Sequence, residues 1–265
     1  PSLLTFARWA LLSLVLPLLY ARQMRAVWPV LRGRWLYLAA MGGLGLAVFN
    51  LLFYISAHHT AAVNIGILQG AIPIIVVLGA FTLHGTRITG RQVFGVIVGL
   101  AGVLTVALRG VPSGLADLSL NFGDVLMASA CVLYAGYTLG LKSRPAVPGI
   151  VLFCYFSLFG AALSLPFAAA EWWGGSIIWP TGAGWLVIAY VTVFPSFLAQ
   201  IFFLRSVDLI GPGRSGVFVN LTPIFSALLA VALLGEIFRA YHGAALALVV
   251  LGLWWARDRG TARRG

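Results

Sequence analysis

Residues 68–85 read LQGAIPIIVVLGAFTLHG, and residues 218–235 read FVNLTPIFSALLAVALLG. A shift of 150 residues superposes them and extends without a gap from Asn50–Arg109 to Gln200–Arg259. Identities are few, but each run carries a proline at its sixth position, which chance rarely gives in a gapless register. We interpret the two stretches as mates of an internal repeat.

The composition is that of a membrane protein. Of the 265 residues, 61% are hydrophobic and only 9% are charged, whereas an ordinary globular domain is about 25% charged. Apolar runs of about 20 residues, enough to cross roughly 30 Å of hydrocarbon, recur along the chain. The net charge of +11 comes from arginines spread through loops. This distribution indicates membrane orientation rather than nucleic-acid binding.

The hydropathy pattern predicts an all-α polytopic fold with nine visible transmembrane helices. The fourth and ninth spans are short, and each is expected to begin a few residues earlier. The predicted spans are Ser2–Ala21, Leu36–Ala57, Ala61–Leu83, Gln92–Leu108, Gly123–Leu141, Val147–Ala169, Gly184–Leu204, Ser215–Leu234 and His242–Ala256.

Basic residues orient these spans. Fourteen of the 17 lysines and arginines fall in alternate connections or in the C-terminal tail. The intervening connections hold only Arg109 and Arg239, and Arg8 lies inside the first span. The positive-inside rule therefore places the C-terminus and the arginine-rich loops in the cytoplasm.

The two halves of the repeat are unbalanced, because five spans belong to the second half and four to the first. Pro1–Ala21 aligns loosely with Pro148–Ala169, so the partner of Gly123–Leu141 is expected upstream of Pro1. We therefore predict ten helices in the intact protein, with repeats at 1–109 and 123–258. An odd number of helices per repeat inverts the second repeat, an architecture typical of secondary transporters.

Both repeat centres resemble the EamA domains of the bacterial drug/metabolite transporter superfamily. The resemblance covers nearly the whole chain, is more specific in the second half, and is nearest to the YddG-type amino-acid exporters. It rests on Leu68–Pro73 and Val219–Pro223, each followed by an apolar run to Gly85 or to Gly235-Glu236, on Tyr134–Tyr137, and on the helix that begins at Pro148.

This resemblance implies two inverted five-helix units around a central cavity, in the bacterial inner membrane, exporting small metabolites. The chain departs from the family pattern at one position. A glutamate of the family is kept at Glu236, but its counterpart in the first repeat is Thr86. If that glutamate serves coupling, only one repeat retains it.

Polar side chains at helical spacing predict a substrate site. Asn50 and Tyr54 share a helix face with His58, and Ser196 shares one with Gln200. Such groups turn towards a cavity or bond to neighbouring helices. His58, next to His59 at the extracellular end of its helix, fits a solvated loop better. The predicted cavity residues are Asn50, Tyr54, Gln69, Tyr134, Tyr137, Gln200 and Asn220.

Pro73 and Pro223 are candidate hinges. A proline inside a helix lacks an amide N–H and frees the carbonyl four residues back, here on Gln69 and Val219. Freed backbone is tolerated in membranes where neighbours, water or a substrate satisfy it. The alternative is a pair of static kinks.

Charged residues are almost absent from the predicted mid-membrane region. Asp117, Asp124, Glu171, Asp208, Glu236 and Asp258 all lie in connections or at span ends. Arg8 could pair with a substrate carboxylate or bond to carbonyls of the helix expected before Pro1. Cys131 and Cys154 lie inside apolar runs, so core packing is favoured over a disulfide or a metal site.

These features favour a carrier over a channel or an enzyme. A channel needs a ring of carbonyls or charges, and an intramembrane enzyme needs a nucleophile–base pair or a metal cluster; no such pattern is visible. We predict export of small metabolites, with aromatic or neutral amino acids as the best class, by alternating access and without proton coupling. A proton-coupled exporter of drug-like amphiphiles and a nucleotide-sugar carrier remain alternatives.

The predicted partners are a small-molecule substrate and the lipid bilayer. No nucleic-acid partner, cofactor or metal is predicted, and the oligomeric state is left open.

Overall fold

The computed structural model describes residues 1–60, 62–85, 89–108, 110–111, 121–211, 214–215, 218, 221–222, 225, 229 and 238–256. Every regular element in these residues is helical, which confirms the all-α fold. The α-helices are α1 (Ser2–Leu31), α2 (Trp35–Leu38), α3 (Phe49–Ser56), α4 (Ala62–Gly70), α5 (Ile72–His84), α6 (Gly90–Ala107), α7 (Phe122–Gly140), α8 (Gly149–Trp173), α9 (Gly182–Val191), α10 (Ala199–Ile210) and α11 (Ala240–Ala256). Two π-helical segments, Ala39–Val48 and Thr192–Leu198, join α2 to α3 and α9 to α10.

Five stretches of the described residues are long and apolar enough to cross a membrane: Ser2–Ser56, Asn64–Leu83, Phe122–Ser143, Gly149–Trp173 and Gly182–Ile210. The first has 55 residues, about 80 Å of helix at 1.5 Å per residue, and so accommodates two predicted spans. Gly90–Thr105 and Ala240–Gly252 are shorter apolar helices. The predicted span Ser215–Leu234 lies mostly outside the described residues, so the total of ten helices stays a prediction.

The first helix does not end at Ala21 as predicted, because α1 continues to Leu31. Tyr20 departs from helical geometry, with φ −116° and ψ 15°, three residues after Pro17. Arg22 and Arg25 therefore lie on a helix rather than in a loop. Hydropathy marks where a chain leaves the hydrocarbon, whereas arginine, glutamine and methionine are good helix formers. The helix thus continues beyond its apolar part.

The predicted third span, Ala61–Leu83, is interrupted at Ala71 between α4 and α5. Pro73 lies in the first turn of α5, where amide groups have no intrahelical partner and a missing N–H costs little. The Ala71 amide donates to the Leu68 carbonyl, which makes the break a tight turn. The chain therefore changes helix at the proline motif of the first repeat.

The helices group into two compact units. One unit comprises Pro1–Ile55 with Gly136–Ile210, and the other comprises Ser56–Ala135 with Gly211–Gly265. Each unit combines segments from both predicted repeats, 1–109 and 123–258. The repeats stay a prediction about chain order, whereas the units describe which helices pack together.

In the first unit, α1 and the first π-helical segment pack against α8. The approach to α8 is very close, because a Cβ atom on Gly42 would overlap the Phe156 carbonyl oxygen. Only glycine fits there. Trp9, Phe153 and Phe156 are fully buried around this contact, and Trp9 meets Phe153 edge-on at 6.3 Å between ring centroids.

In the second unit, α6 packs along α11 through a reciprocal contact. A Cβ atom on Gly102 would lie 2.9 Å from the Ala245 carbonyl oxygen and 2.7 Å from Val249. A Cβ atom on Gly252 would lie 2.6 Å from the Gly95 carbonyl oxygen and 2.7 Å from the Gly99 amide nitrogen. The 150-residue shift turns each set of partners into the other. A contact that exchanges its two sides in this way is what a two-fold axis produces.

The two π-helical segments also correspond under the same shift. Thr192–Leu198 falls on residues 42–48 of the first segment, and both segments end directly before the mates Phe49 and Ala199. π-helical turns are rare and often occur at functional sites. Their coincidence in both repeats directs attention to the side chains beside them.

Candidate functional site

Arg8 is the centre of a buried polar cluster in the first unit. Its side chain comes from α1, and the residue is only 5% exposed. Nε donates to the Ser196 hydroxyl at 2.7 Å. Nη1 donates to the Asn50 carbonyl oxygen Oδ1 at 3.0 Å and to the Tyr54 hydroxyl at 2.7 Å. We call Arg8, Asn50, Tyr54 and Ser196 the Arg8 cluster.

Ser196 is placed by the second π-helical segment. Pro195 has no amide hydrogen, so the carbonyl four residues back, on Val191, loses its α-helical partner. The Ser196 hydroxyl donates to that carbonyl at 2.6 Å. Because its one hydrogen is used there, the hydroxyl oxygen offers its lone pairs to Arg8 Nε.

Asn50 makes the equivalent arrangement beside the first π-helical segment. Its Nδ2 group donates to the Leu46 carbonyl at 2.6 Å, and this bond turns Oδ1 towards Arg8. A backbone carbonyl within the first π-helical segment and one directly before the second thus each fix the orientation of a polar side chain. Each of those side chains then accepts a hydrogen bond from the same guanidinium.

A second polar contact lies about one helical turn after Ser196, at the start of α10. The Tyr137 hydroxyl donates to Gln200 Oε1 at 3.4 Å, and Gln200 follows Ser196 by four residues on the same face. Tyr137 stacks on Phe203 at 6.5 Å and meets Phe156 edge-on at 6.2 Å. Neutral polar groups and aromatic rings therefore lie next to one another in this unit.

The structure brings together four of the seven predicted cavity residues: Asn50 and Tyr54 directly on Arg8, Tyr137 and Gln200 one turn away. Gln69 and Tyr134 belong to the second unit, on α4 and α7, and both are partly exposed. Asn220 and Pro223, like Thr86 and Glu236, lie outside the described residues. His58 and His59 lie in the exposed turn after α3.

The sequence-based selection left Arg8 and Ser196 out of the site. Within the described residues the hydrogen-bond partners of Arg8 are side chains of α3 and of the second π-helical segment. Bonds from Arg8 to a further helix or to a substrate stay predictions. The signal was available, since an arginine within an apolar span is costly and marks a functional position by default. Which residues it meets depends on helix packing, which spacing along one helix does not reveal.

A separate polar cluster closes one end of the second unit. Asp124, in the first turn of α7, is 3% exposed. It accepts hydrogen bonds from the Thr60 hydroxyl, the Asn64 amide group and the Asn121 backbone amide. These bonds tie the turn that follows α3 to the start of α7. Because these bonds join separate segments of the second unit and leave the carboxylate satisfied, this cluster holds structure together.

The described cysteines are both buried and free. Cys131 lies in the second unit, where its thiol approaches the Leu68 carbonyl at 3.4 Å. Cys154 lies in the first unit, where its thiol approaches the Ile150 carbonyl of its own helix at 3.1 Å. Both behave as small core residues.

The chain belongs to the EamA-like transporter family, whose pattern matches residues 1–108 and 121–257. The match confirms the resemblance drawn from the proline motifs, and it accounts for the repeats seen in the all-helical fold.

Curated relatives carry transporter names. The chain is 26% identical over 211 residues to the uncharacterized transporter YetK of Bacillus subtilis (strain 168), covering 79% of this chain and 64% of that protein. It is 31% identical over 179 residues to the aromatic amino acid exporter YddG of Ancylobacter novellus, covering 66% of this chain and 57% of that protein. The matched part thus spans less than two thirds of either relative.

A crystal structure of a protein with 23% sequence identity superposes with a TM-score of 0.75, over 96% of this chain and 85% of that chain. At this identity the likeness shows a shared fold.

Proposed function

We propose that this protein is a secondary transporter that exports small metabolites, and that its substrates are amino acids with aromatic or neutral side chains. The observation that carries this proposal is the Arg8 cluster, a buried guanidinium with three neutral polar partners inside otherwise apolar helices. Membership of a transporter family supports the class of activity. The relative named for aromatic amino-acid export supports the substrate class.

The surroundings of the cluster suit a zwitterion with an apolar side chain. Hydroxyl and amide groups bind polar ends through hydrogen bonds, while rings such as Tyr54, Tyr137 and Phe203 offer flat apolar faces to an aromatic side chain. In this proposal Gln69, Tyr134 and Asn220 complete the lining.

Transport would proceed by alternating access through a central cavity, the mode typical of carriers built from inverted repeats such as 1–109 and 123–258. Pro73 and Pro223 are proposed as paired hinges, because the two prolines occupy the same position of the repeat in the sequence and Pro73 closely follows the break between α4 and α5. The arginine distribution supports a multi-pass orientation in the bacterial inner membrane with a cytoplasmic C-terminus.

The test is a panel of labelled amino acids in proteoliposomes that contain the purified protein. Saturable counterflow of aromatic or neutral amino acids is expected. Tyr54→Ala should reduce that flux at unchanged protein level, because it removes a hydroxyl bound to Arg8. The matched control is Tyr190→Ala on α9, where the tyrosine is 60% exposed, and it should leave the flux unchanged.

Other outcomes identify the alternatives. Flux that does not saturate would indicate a channel, chemical conversion of the substrate would indicate an enzyme, and counterflow of cationic amphiphiles without amino acids would indicate a multidrug exporter. Equal flux in both tyrosine variants would remove Tyr54 from the site.

A further inference from the structure

The guanidinium of Arg8 has no anionic partner among the described residues. Nε and Nη1 donate to neutral side chains. Nη2 has no hydrogen-bond partner among the described residues, and it is not fully buried. The carboxylates of the described residues all bond elsewhere: Asp124 to Thr60, Asn64 and Asn121, Glu171 to the amides of Ser2 and Leu3, and Asp208 to Arg144.

A positive charge held this way attracts an anion strongly. Burying an ion costs free energy that neutral hydrogen bonds repay only in part. In low dielectric the attraction between opposite charges is several times that in water. Hydrogen bonds between guanidinium and carboxylate are also about twice as strong as those between neutral groups.

The three existing hydrogen bonds hold the guanidinium plane at two edges. Ser196 fixes Nε from one π-helical segment, and Asn50 with Tyr54 fixes Nη1 from the helix that carries the other segment. The direction of the two Nη2 hydrogens is therefore set before any ligand arrives. Preorganised donors bind more tightly because little side-chain freedom is lost on binding.

We propose that Nη2 of Arg8 binds the carboxylate of the transported substrate. This inference rests on the proposed function and adds the chemical group by which substrates are selected. The cluster offers an ammonium group only neutral oxygens, so the carboxylate is the end of the substrate that the cluster recognises. An acid without an amine should bind, and an amine without an acid should not.

The test uses three analogues that share one aromatic ring: L-phenylalanine, 3-phenylpropionate, which keeps the carboxylate, and phenethylamine, which keeps the ammonium. Binding is measured on the intact, detergent-purified protein from the concentration dependence of the thermal unfolding midpoint. This measurement avoids bilayers, which the single-charge analogues cross in their neutral forms. The acid is expected to bind at least about tenfold more tightly than the amine.

Variants of Arg8 assign that preference to the guanidinium. Arg8→Gln should bring the acid-to-amine ratio close to one, whereas Arg8→Lys keeps the charge and should retain the preference for the acid. The matched control is Arg22→Gln, which removes an exposed arginine of the same helix and should leave the ratio unchanged. If Arg8→Gln does not fold, the wild-type ratio and the Arg8→Lys variant still test the proposal.

Two results would overturn it. One is an amine that binds wild type as tightly as the acid does, and the other is a preference for the acid that survives in Arg8→Gln. Either would mean that Arg8 only ties helices together. Failure of the proposed function looks different: no amino acid would undergo counterflow in proteoliposomes, whatever the acid-to-amine ratio in detergent.

Discussion

The Ser196 hydroxyl makes two hydrogen bonds, one to the backbone and one to Arg8. It donates to the Val191 carbonyl, whose α-helical amide partner is removed by Pro195, and it accepts from Arg8 Nε. An unpaired carbonyl inside a membrane protein costs free energy that no solvent repays. The bond to the Val191 carbonyl thereby orients the Ser196 hydroxyl so that its oxygen accepts a hydrogen bond from the charged Arg8 side chain.

A double-mutant cycle isolates the carbonyl contribution. Ser196→Ala should lower the free energy of unfolding by roughly 1–2 kcal/mol. The cost should fall in a Pro195→Ala background, because an alanine amide can bond to the Val191 carbonyl. The loss of the Arg8 contact is common to both backgrounds and cancels. Thermal or denaturant unfolding in detergent measures both costs.

Ser13→Ala is the matched control, since Ser13 bonds to the Ala10 carbonyl inside α1, where no proline follows four residues after that carbonyl. Its cost should be close to zero. Equal costs of Ser196→Ala in both backgrounds would refute the role assigned to Pro195.

Helical spacing could predict which polar residues share a face, and it paired Asn50 with Tyr54 and Ser196 with Gln200. It could not predict that Arg8 reaches three of them. Apart from these few polar positions the helices involved are apolar, so hydrophobic periodicity says little about which apolar face meets which neighbour. That information lies in close approaches such as Gly42 against the Phe156 carbonyl.

Among the helices, the π-helical segments show different local sequences giving one backbone form. The first segment contains glycines at 42, 43 and 45, while the second segment contains Pro195 and no glycine. Both nevertheless end at equivalent positions of the repeat. The wide turn therefore belongs to the architecture and serves to present Asn50 and Ser196, since neither glycine nor proline alone explains both.

The reciprocal contact between α6 and α11 gives a test of helix packing. Gly252→Ala should destabilise the protein by about 1–3 kcal/mol, because its new methyl group would meet only backbone atoms, of Gly95 and Gly99. Gly243→Ala on the same helix is the control, since the nearest atom, on Phe238, lies 3.9 Å away and alanine favours helix. The thermal unfolding midpoint in detergent is the measurement. A Gly252→Ala protein as stable as Gly243→Ala would contradict this close packing.

The sequence predicted helix cores better than helix ends. The fourth and ninth spans do begin earlier than their hydropathy suggests, at Gly90 and Ala240. The end of α1 was missed, because hydropathy follows the bilayer and not the hydrogen bonds of the helix. The break at Ala71 was also missed. The sequence shows a proline two residues later, and a proline is compatible either with a kink inside one helix or with the start of a new helix.

At the scale of the whole molecule, repeat mates pack within the same unit. Residues 35–55 and Gly182–Ile210 lie in the first unit, and α6 and α11 lie in the second. The sequence could predict the repeat from a gapless shift. It could not predict this regrouping, because adjacency along the chain favours compact halves and only interhelical contacts reveal the exchange.

The energy source of transport depends on which groups can change charge beside the substrate. A proton-driven carrier needs a group that titrates within reach of its substrate, and histidine is the side chain whose ordinary pKa lies between about 5 and 8. Among the described residues, no aspartate, glutamate or histidine bonds to the Arg8 cluster. We therefore expect labelled substrate to equilibrate across proteoliposomes without a pH gradient and not to accumulate when one is imposed. Accumulation driven by an imposed gradient and abolished by a protonophore would refute the uncoupled mechanism. It would also assign proton transfer to a group outside the Arg8 cluster, and Glu236 is the first residue to replace with glutamine.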